Sequence, residues 1–420
     1  MKLIVDLHIH SKYSRGCSKD LDIKNLEKWA KIKGINLLGT GDFTHPKWIK
    51  ELKDNLKEDG TGVLKTKTGF PFILQTEISL IYSQDGKGRR VHVLILAPNF
   101  EVVDKITAYL LKSGRVDYDG RPIFKIPAKQ LVKDLRGISE KIEVIPAHIW
   151  TPWFSLFGSN SGFNSMKEAF GEEAKYIHAL ETGISSDPEM NWNVSDLDNY
   201  HLVSFSDIHS YWPWRLGREV TIFDIELTYD SLLTALRTGV GLVSTIEADP
   251  NYGKYHFDGH RKCGVMFSPK QTKKSKGICP VCKKPLTIGV QYRVDELTSK
   301  KKPVRPKTGR DFLKMIPLSE IIAKHEDCAP TSKKVWKIYD NLIEKFGNEF
   351  NILLSAKKEE LLEIVPESLA DYILKNRRGE VEIIPGYDGE YGIPIFSEED
   401  RKKIPKPIFV DNPQKGLDEF

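Results

Sequence analysis

The chain has 420 residues, 63 basic and 58 acidic, so its formal net charge is only +5. With 40% hydrophobic residues it can build a large core, and a wholly disordered chain is excluded. No apolar run approaches the roughly 20 residues that span a bilayer. The N-terminus reaches Asp6 after three apolar residues, too few for the core of a secretory signal. We therefore predict a soluble, cytoplasmic protein that does not contact membranes.

Taken in order, residues 1–255 alternate short β-branched runs with helix-like stretches, the pattern of βα units that close a parallel sheet or barrel. Within this segment Asp22–Lys33 has helical spacing. The predicted strands are Leu3–His8, Leu37–Thr40, Phe72–Thr76, Val91–Leu96, Ile142–Pro146, Tyr176–Leu180, Leu202–Ser206 and Gly241–Ile246. We expect this segment to form the first domain.

Three further segments follow. Residues 256–330 are rich in Lys, Gly and Pro and have little periodicity, so we expect a metal rather than a core to hold them. Residues 331–400 are predicted to form a helical domain, with one helix starting at Pro366 and ending before Gly379. Residues 401–420 have the composition of a tail.

The basic charge is concentrated in one place. Residues 261–310 contain fifteen Lys and Arg against two acidic residues, whereas the rest of the chain is net acidic. Such asymmetry is typical of contact with a polyanion, although a solvated loop is the alternative for Lys270–Lys276 taken alone. Three of the five cysteines lie in the same region, which favours a nucleic-acid-binding module. We expect Lys300, Lys301 and Lys302 to contact DNA.

His8 and His10 follow the first predicted strand as an H-x-H pair. This spacing puts both imidazoles on one face of an extended segment, which is half a metal site; alone, the pair is equally consistent with two ordinary histidines. Similar residues recur at the ends of later predicted strands: Asp42, His45, Glu77, His92, His148, Glu181, Asp207 and His209. Because the carboxyl ends of parallel barrel strands meet at one mouth, the pattern predicts a metal cluster there.

These motifs resemble the PHP family of polymerase- and histidinol-phosphatase-like metal hydrolases. The resemblance covers residues 1–250 and depends on His8-Ile-His10, Glu77, His92, His148 and the segment Ser206–Gly217. It implies a distorted seven-stranded β/α barrel with two or three divalent metals, Zn²⁺, Mg²⁺ or Mn²⁺. The family's usual Thr-Asp-His is Thr40-Gly41-Asp42 in this chain, so Asp42 is expected in the place of a histidine, with His45 three residues on.

Clustered divalent ions stabilise both the attacking and the leaving oxygen of a displacement at phosphorus, so the predicted reaction is phosphoester hydrolysis. The preferred ligands are His8, His10, Glu77, His148, Asp207 and His209, with Asp42, His45 and His92 as second choices. Glu181 is either a ligand or a residue that orients one. Asn193, in the loop after Glu181, is a further catalytic candidate that either positions substrate or replaces an Asp.

A second metal site is predicted from His260-x-x-Cys263, followed after fifteen residues by Cys279-x-x-Cys282. Two pairs of nitrogen and sulfur ligands fit a closed tetrahedral Zn²⁺ site, and four protein ligands leave no open position, so its role is structural. A pair formed by His325 and Cys328, with Cys328 replacing His260, is the less favoured alternative.

Four further segments resemble the endonuclease Q family: Gly39–Pro46, Glu181–Pro188, Gly253–His260 and Pro385–Gly392. This resemblance implies a DNA repair endonuclease that cuts the phosphodiester on the 5′ side of deaminated bases (hypoxanthine, uracil, xanthine) and abasic sites. An aromatic group, Trp150, Trp153, Phe154 and Phe157, either stacks on a base or packs at the barrel rim. Two alternatives are a phosphoesterase acting on a small phosphate monoester and a non-catalytic DNA-binding zinc protein.

The tail carries Gln414, Leu417 and Phe420 in the Gln-x-x-aliphatic-x-x-aromatic spacing, which resembles a peptide that docks on the replication sliding clamp (PCNA). One helical turn from Leu417 brings Phe420 to the same side, so both can enter an apolar groove. We therefore expect the clamp as a partner.

Overall fold

The computed structural model describes residues 1–403. Its strands are β1 Lys2–Asp6, β2 Leu37–Gly39, β3 Lys57–Glu58, β4 Leu64–Lys65, β5 Pro71–Gln84, β6 Lys87–Ala97, β7 Ile123–Phe124, β8 Glu143–Pro146, β9 Ala179–Glu181, β10 His201–Val203, β11 Val220–Asp224, β12 Leu242–Glu247, β13 Asp258–His260, β14 Val265–Phe267, β15 Asp311–Lys314, β16 Glu382–Ile384 and β17 Ile393–Ile395. Its helices are α1 Ile23–Lys33, α2 Pro46–Asn55, α3 Phe100–Leu111, α4 Ala128–Ile138, α5 Met166–Phe170, α6 Pro188–Asn191, α7 Tyr229–Thr238, α8 Pro269–Lys274, α9 Val290–Leu297, α10 Leu318–His325, α11 Lys333–Phe346, α12 Glu349–Leu354, α13 Lys358–Leu362, α14 Glu367–Arg377 and α15 Glu398–Lys403. None of the helices within residues 1–403 is long and apolar enough to cross a bilayer.

The main sheet is mixed, with the order β15-β12-β11-β1-β2-β5-β4-β3 and with β6, β7 and β8 joined on through β5 and β6. Strand β2 is parallel to β1 and β5, whereas β11 is antiparallel to both β1 and β12. Strands β9 and β10 form a separate parallel pair, and a bridge between Ile9 and Ile208 connects the segments that follow β1 and β10. The predicted α/β fold class is confirmed, and the sheet contains antiparallel pairs beside the parallel ones that the βα pattern predicts.

The clearest departure is the hairpin of β5 and β6. The two predicted strands are the inner parts of this long antiparallel pair, which runs in register from Leu74–Ala97 to Gln84–Lys87. Its turn residues Asp85 and Gly86 have φ values of 52° and 74°. Positive φ at both central residues is the geometry of a type I′ turn, which Asp-Gly favours and which matches the twist of an antiparallel ribbon.

Most predicted helices are confirmed. Helix α1 begins after Asp22, whose side chain caps the Asn25 amide, and it ends at Gly34 with φ of 95°. Helix α14 follows Pro366. The predicted helical domain is helical from Lys333 to Arg377, but the hairpin of β16 and β17 follows these helices. Nine strands within residues 1–403 were not predicted, namely β3, β4, β7, β11, β13, β14, β15, β16 and β17. Among them, β15 lies inside the segment expected to depend on metal, yet it pairs in parallel with β12 of the main sheet.

Two layers of apolar side chains cover the main sheet. Leu3, Val5 and Leu7 alternate along β1 and its extension and pack in one cluster with Phe223 and with Tyr229 of α7. The intervening residues Asp6, His8 and His10 are fully buried on the other side. The period-two alternation of a strand therefore places the two histidines together, inside the protein.

Two buried carboxyl groups lie beside this interior. Glu219 precedes β11, Glu247 ends β12, and both side chains are inaccessible to solvent. Glu247 accepts hydrogen bonds from Thr245 Oγ1 (2.5 Å) and Thr182 Oγ1 (2.8 Å). Burial raises the pKa of Glu247 from its ordinary 4.5 to about 7, and burial together with Glu247 raises the pKa of Glu219 well above its usual range. Both carboxyl groups therefore keep their protons to higher pH in the folded protein than in the unfolded chain.

The Glu247→Gln variant is expected to be more stable than the wild type above neutral pH. The unfolded chain releases the Glu247 proton near pH 4.5 while the folded protein holds it to about pH 7, so the wild type loses stability across that window. Glutamine does not titrate and keeps two hydrogen-bonding atoms. Urea unfolding at pH 5 and pH 8 measures the difference, with the exposed Glu226→Gln as control. An equal change at both pH values would contradict a retained proton.

Candidate active site and metal centres

The first cluster of potential metal ligands consists of His8, His10, Glu77 and Asp207, whose ligand atoms all lie within 4.8 Å of one another. The Nε2 atom of His10 is 3.2 Å from both Glu77 Oε2 and Asp207 Oδ1. The Nε2 atoms of both histidines and Asp207 Oδ1 are buried without a hydrogen-bond partner in the described part of the chain. Buried polar atoms normally have partners, so these atoms fit a divalent cation held between them.

The outer nitrogens of the two histidines are held by other carboxylates. His8 Nδ1 is 2.8 Å from Glu181 Oε1, and His10 Nδ1 is 3.0 Å from Asp42 Oδ1. Carboxylates that bond the far nitrogen of a metal-binding histidine fix its tautomer and ring orientation. Although burial opposes protonation, the surrounding carboxylates raise the pKa of His8 well above its usual value. With the rings held in this orientation, the Nε2 atoms of both histidines face Glu77 Oε2 and Asp207 Oδ1.

A second cluster consists of Glu77, His92 and His148. Glu77 Oε1 is 2.8 Å from His92 Nδ1 and 3.2 Å from His148 Nε2, whereas Glu77 Oε2 faces the first cluster. One carboxylate thus joins both sites. Burial opposes ionisation of Glu77, but His92 and Arg121 hold its pKa well below the usual range. A bridging carboxylate between two histidine-bearing sites is suited to a pair of divalent ions acting on a phosphoester.

The sequence predicted Glu77 and His92 at strand ends, and this prediction is wrong. They lie inside β5 and β6, where Glu77 is opposite Leu94 and His92 is opposite Ser79. On one face of an antiparallel pair, diagonal neighbours are close enough for side chains to meet. His148 and Asp207 do follow strands, and both have positive φ, 30° and 46°. This sparsely populated backbone conformation is concentrated at functional sites.

Other predicted ligands are placed differently. Asp42 does not face either cluster, because its second oxygen accepts from the Ser11 amide (2.7 Å) and the Ser14 hydroxyl (2.9 Å). Glu181 accepts from the His148 amide as well as contacting His8, so its geometry is that of an orienting residue. His45 stacks on Tyr13 at 4.5 Å and is not brought into the clusters.

His209 and Asn193 are also outside the clusters. His209 lies beside the first cluster, with its ring 4.9 Å from that of His10 and its Nδ1 3.8 Å from Asp207 Oδ1. The Asn193 amide instead donates to the backbone oxygens of Glu189 and Met190. Asn193 lines a separate cavity of about 480 Å³ beside His256 and Lys314. The structure therefore does not bring Asn193 to the metal ligands.

A cavity of about 470 Å³ opens beside Asp207 and His209, and it is also lined by Arg215, Arg218 and Tyr391. None of these three was predicted as a site residue, and neither was Arg121, whose Nη1 lies 3.1 Å from Glu77 Oε2. A signal for two of them was present in the sequence, because Arg215 and Arg218 follow the Asp207-Ile-His209 motif within eleven residues. Tyr391 is distant in sequence, and only the fold brings it to the cavity.

Of the aromatic group after His148, Trp150 and Phe157 are buried and pack together at 5.1 Å. The Trp150 indole N–H donates to Asn191 Oδ1 (2.7 Å). Phe154 covers the His92 ring at 4.9 Å. Only Trp153 of this group is exposed, at 39%. The packing interpretation is therefore correct for Trp150 and Phe157.

The second predicted metal site is assembled as expected, since ligand atoms of His260, Cys263, Cys279 and Cys282 lie within 4.8 Å of one another. Hairpin β13–β14 presents the first pair. A turn in which Cys279 N donates to Lys284 O (2.8 Å) and Lys283 N donates to Cys279 O (3.0 Å) presents the second. Although burial opposes it, backbone N–H groups help to lower the pKa of the Cys279 thiol, which favours the thiolate that a zinc ion needs. Cys328 instead lies against Ser332 Oγ at 3.1 Å.

The Cys279→Ser variant is expected to unfold the module around β13 and β14. Its apolar cluster consists of Val265, Phe267, Cys279 and Leu286, which is too small to be stable alone, so a bound metal would supply the folding free energy. Limited proteolysis should show new cleavage within residues 256–290, and metal analysis should show about one zinc ion fewer than in the wild type. Cys328→Ser is the matched control. Unchanged protease resistance and zinc content in Cys279→Ser would contradict the assignment.

The three lysines predicted to contact DNA are not equivalent. Lys300 is already paired, with its Nζ 2.6 Å from Asp198 Oδ1 and 2.9 Å from Trp192 O. Lys301 and Lys302 are exposed. The predicted clamp-binding residues Gln414, Leu417 and Phe420 lie outside the described residues.

The histidine–carboxylate clusters and the arginine-lined cavity beside them fit a metal-dependent hydrolase of phosphoesters. Two solved structures superpose on nearly the whole chain. The lesion-specific endonuclease PfuEndoQ from Pyrococcus furiosus has a TM-score of 0.85 and 30% identity, covering 96% of this chain and 97% of its own. Endonuclease Q in complex with a 27-mer duplex that carries an abasic lesion at the active site has the same TM-score and identity, covering 97% and 100%. The chain belongs to the endonuclease Q family.

Two other relatives extend the comparison. Protein YqxK of Bacillus subtilis is 28% identical over 413 residues, 93% of this chain and 98% of its own. Protein MJ0043 of Methanocaldococcus jannaschii is 34% identical over 249 residues, which is 58% of this chain, and the match spans about a third (31%) of that longer protein. The family model of the MJ0043 C-terminal domain matches residues 317–380, which contain α10 to α14.

Proposed function

We propose that this protein incises DNA on the 5′ side of deaminated bases, namely hypoxanthine, uracil and xanthine, and at abasic sites. The observation that carries this proposal is the superposition, over nearly the whole chain, on an endonuclease Q that holds an abasic lesion at its active site. The clusters joined by Glu77 supply the ligands for hydrolysis. The small-monoester and non-catalytic alternatives are not favoured by any comparable observation.

The roles of individual residues follow from the geometry. His8, His10 and Asp207 would hold one divalent ion, His92 and His148 a second, and Glu77 would bridge the two. Bound divalent ions at this site would lower the pKa of a coordinated water and stabilise negative charge on the leaving oxygen. Asp42 and Glu181 keep the imidazoles oriented. Zn²⁺, Mg²⁺ and Mn²⁺ remain the candidate ions in this centre, and Zn²⁺ is proposed for the cysteine site.

The direct test uses end-labelled duplexes that are identical except for one hypoxanthine, uracil, xanthine or abasic site, with an undamaged duplex as control. Purified protein, stripped of metal and then supplied with one divalent ion at a time, should give a single cut on the 5′ side of each lesion. Mass spectrometry of the products identifies the cut. Equal cleavage of undamaged DNA, or hydrolysis of p-nitrophenyl phosphate at rates that match DNA incision, would favour a phosphoesterase of broader specificity.

We also propose that the exposed lysines of the cysteine-bearing module contribute to DNA binding. Each lysine that neutralises a phosphate releases counterions, so affinity should fall steeply with salt. Charge reversal at Lys301 and Lys302 should flatten the slope of log Kd against log salt by about two. Because Lys300 is engaged by Asp198, its reversal should change folding more than this slope. An unchanged slope in the double variant would place the DNA on another surface.

The proposed clamp contact is tested separately. A peptide of residues 409–420 is expected to bind the sliding clamp, and replacing Leu417 and Phe420 with Ala should abolish binding, because both apolar side chains are needed to fill a hydrophobic groove. Surface plasmon resonance with full-length wild type and double variant measures this. Incision of free DNA should be the same in both. Equal clamp binding by the two proteins would contradict the proposed motif.

A further inference from the structure

Two arginines beside the first metal cluster have no carboxylate partner within residues 1–403. Arg218 donates from Nε to Ser206 O (3.0 Å), and Arg215 contacts the Tyr391 side chain. Both guanidinium groups line the 470 Å³ cavity together with Asp207 and His209. A guanidinium group in a partly buried position normally pairs with a carboxylate or phosphate. The unpaired state of both arginines points to an anion that comes from outside the chain.

The carboxylates near this pair are engaged elsewhere. Glu320, on α10, accepts a hydrogen bond from Tyr252 (2.9 Å), and Glu219 accepts from the Ala248 amide (3.0 Å). Asp207 faces the metal cluster. Burial, followed by repulsion from Arg215, lowers the pKa of Arg218. Asp207 and Glu219 oppose this shift, and an anion between the two guanidinium groups would offset their mutual repulsion.

Tyr391 reaches this cavity from the C-terminal hairpin formed by β16 and β17. The hairpin docks on residues 250–254 through Gly386 N to Asn251 O (2.8 Å) and Gly392 N to Tyr252 O (3.1 Å). This close approach requires glycine, because a Cβ on Gly392 would lie 2.1 Å from Asn251 O. The Tyr391 ring also packs under Lys254 Nζ at 4.6 Å. The Tyr391 phenol thus lines the cavity with a lysine held over its ring.

The segment that carries the arginines is anchored by aromatic packing and by a buried hydrogen bond. Trp212 and Trp214 stack at 5.3 Å with an interplanar angle of 5°, and Trp336 of α11 packs against Trp212 at 5.5 Å. Between the two stacked rings, Pro213 O accepts from the buried Lys33 Nζ at 2.7 Å. A site whose supporting residues are fixed loses little entropy when it binds.

We propose that Arg215, Arg218 and Tyr391 form a pocket for a DNA backbone phosphate that neighbours the scissile one. The inference rests on the proposed function and adds a substrate contact made by the C-terminal hairpin. The two guanidinium groups supply charge-assisted hydrogen bonds to the phosphate oxygens, and the Tyr391 hydroxyl, which lies beside Arg215, donates another. The metal clusters then need to engage only the phosphate that is cut.

The test combines variants with DNA in which one backbone phosphate at a time is a neutral methylphosphonate. Duplexes carrying an abasic site are scanned over three phosphates on each side of the scissile one, and Kd and incision rate are measured for wild type, Arg215→Ala and Tyr391→Phe. In the wild type, neutralising one flanking phosphate should weaken binding by about 10- to 100-fold. In Arg215→Ala the same substitution should have little further effect. Arg378→Ala, at an exposed arginine paired with Glu380, is the matched control.

The outcomes separate the two proposals. If the wild type cuts no lesion duplex, the proposed function fails. If it cuts but each methylphosphonate costs the same in wild type and variants, the pocket is overturned. The pocket is also overturned if the variants lose sensitivity only to a methylphosphonate at the scissile phosphate, because the arginines would then act at the metal centre. If Arg215→Ala does not fold, Arg215→Lys and Tyr391→Phe carry the comparison, with thermal unfolding as the check.

Discussion

Glu77→Gln is expected to reduce incision by about 10³-fold or more, the largest effect of a single substitution in this protein. Glu77 has one oxygen in each ligand cluster, with Oε2 3.2 Å from His10 Nε2 and Oε1 2.8 Å from His92 Nδ1. Glutamine has nearly the same shape but carries no charge, so both sites lose affinity for a divalent ion. Loss of metal-assisted charge stabilisation costs several kcal/mol, and each 1.36 kcal/mol is about tenfold in rate.

Single-turnover incision of the abasic duplex at saturating protein measures this effect directly, because all the DNA is then bound and the rate does not depend on affinity. Kd for the same duplex should change little, because the cations proposed to bind the DNA backbone, Lys301, Lys302, Arg215 and Arg218, are not the residues paired with Glu77. Metal content after dialysis should fall in Glu77→Gln but not in Glu101→Gln, an exposed glutamate on α3. The assignment of Glu77 as a bridging ligand would be rejected by incision at the wild-type rate.

Lys33→Met is expected to lower the free energy of unfolding by about 3–5 kcal/mol. Lys33 Nζ donates to Glu349 Oε1 at 2.7 Å, and the two side chains are only 1% and 0% exposed. Glu349 also accepts from the Leu318 amide (3.0 Å) and the Tyr339 hydroxyl (2.8 Å). Without Lys33, this carboxylate is left in a buried position with no cation partner, and the loss of that partner is the source of the cost.

A matched control lies two residues earlier on the same helix. Lys31 pairs with Glu27 at 2.5 Å but is 52% exposed, so Lys31→Met should cost at most about 1 kcal/mol. The double variant Lys33→Met, Glu349→Gln should recover part of the lost stability, since no charge is then buried alone. Urea unfolding at pH 7 gives all three values. Equal losses for the two single lysine variants would mean that the buried pair does not join α1 to the helical domain.

Lys33 also has a consequence for function. Its second acceptor, Pro213 O, is in the segment that carries Arg215. Loss of the lysine therefore removes one of the bonds that hold this segment between α1 and α12. Lys33→Met should therefore show both a lower free energy of unfolding and a weaker affinity for DNA.

Local patterns were enough to predict a large part of this protein. The H-x-H spacing of His8 and His10 places two imidazoles on one face whatever the rest of the fold does, because strand periodicity is a local property. The two short-spaced pairs of the cysteine site are local in the same way. The ends of α1 and α14 were predictable because Asp22, Gly34 and Pro366 act through their own backbone geometry.

The tertiary structure alone decided which residues meet. The turn at Asp85 and Gly86 makes β5 and β6 antiparallel, so Glu77 and His92 meet across a hairpin and not at the ends of two parallel strands. Whether Asp42 binds a metal or holds a histidine depends on atoms from Ser11 and Ser14, which no spacing rule relates to it. Arg215 and Tyr391 are separated by more than 170 residues and share a cavity because glycines let a hairpin approach another backbone closely. Residue type and local spacing determine the chemistry that a side chain can perform, whereas long-range packing determines which other groups it contacts.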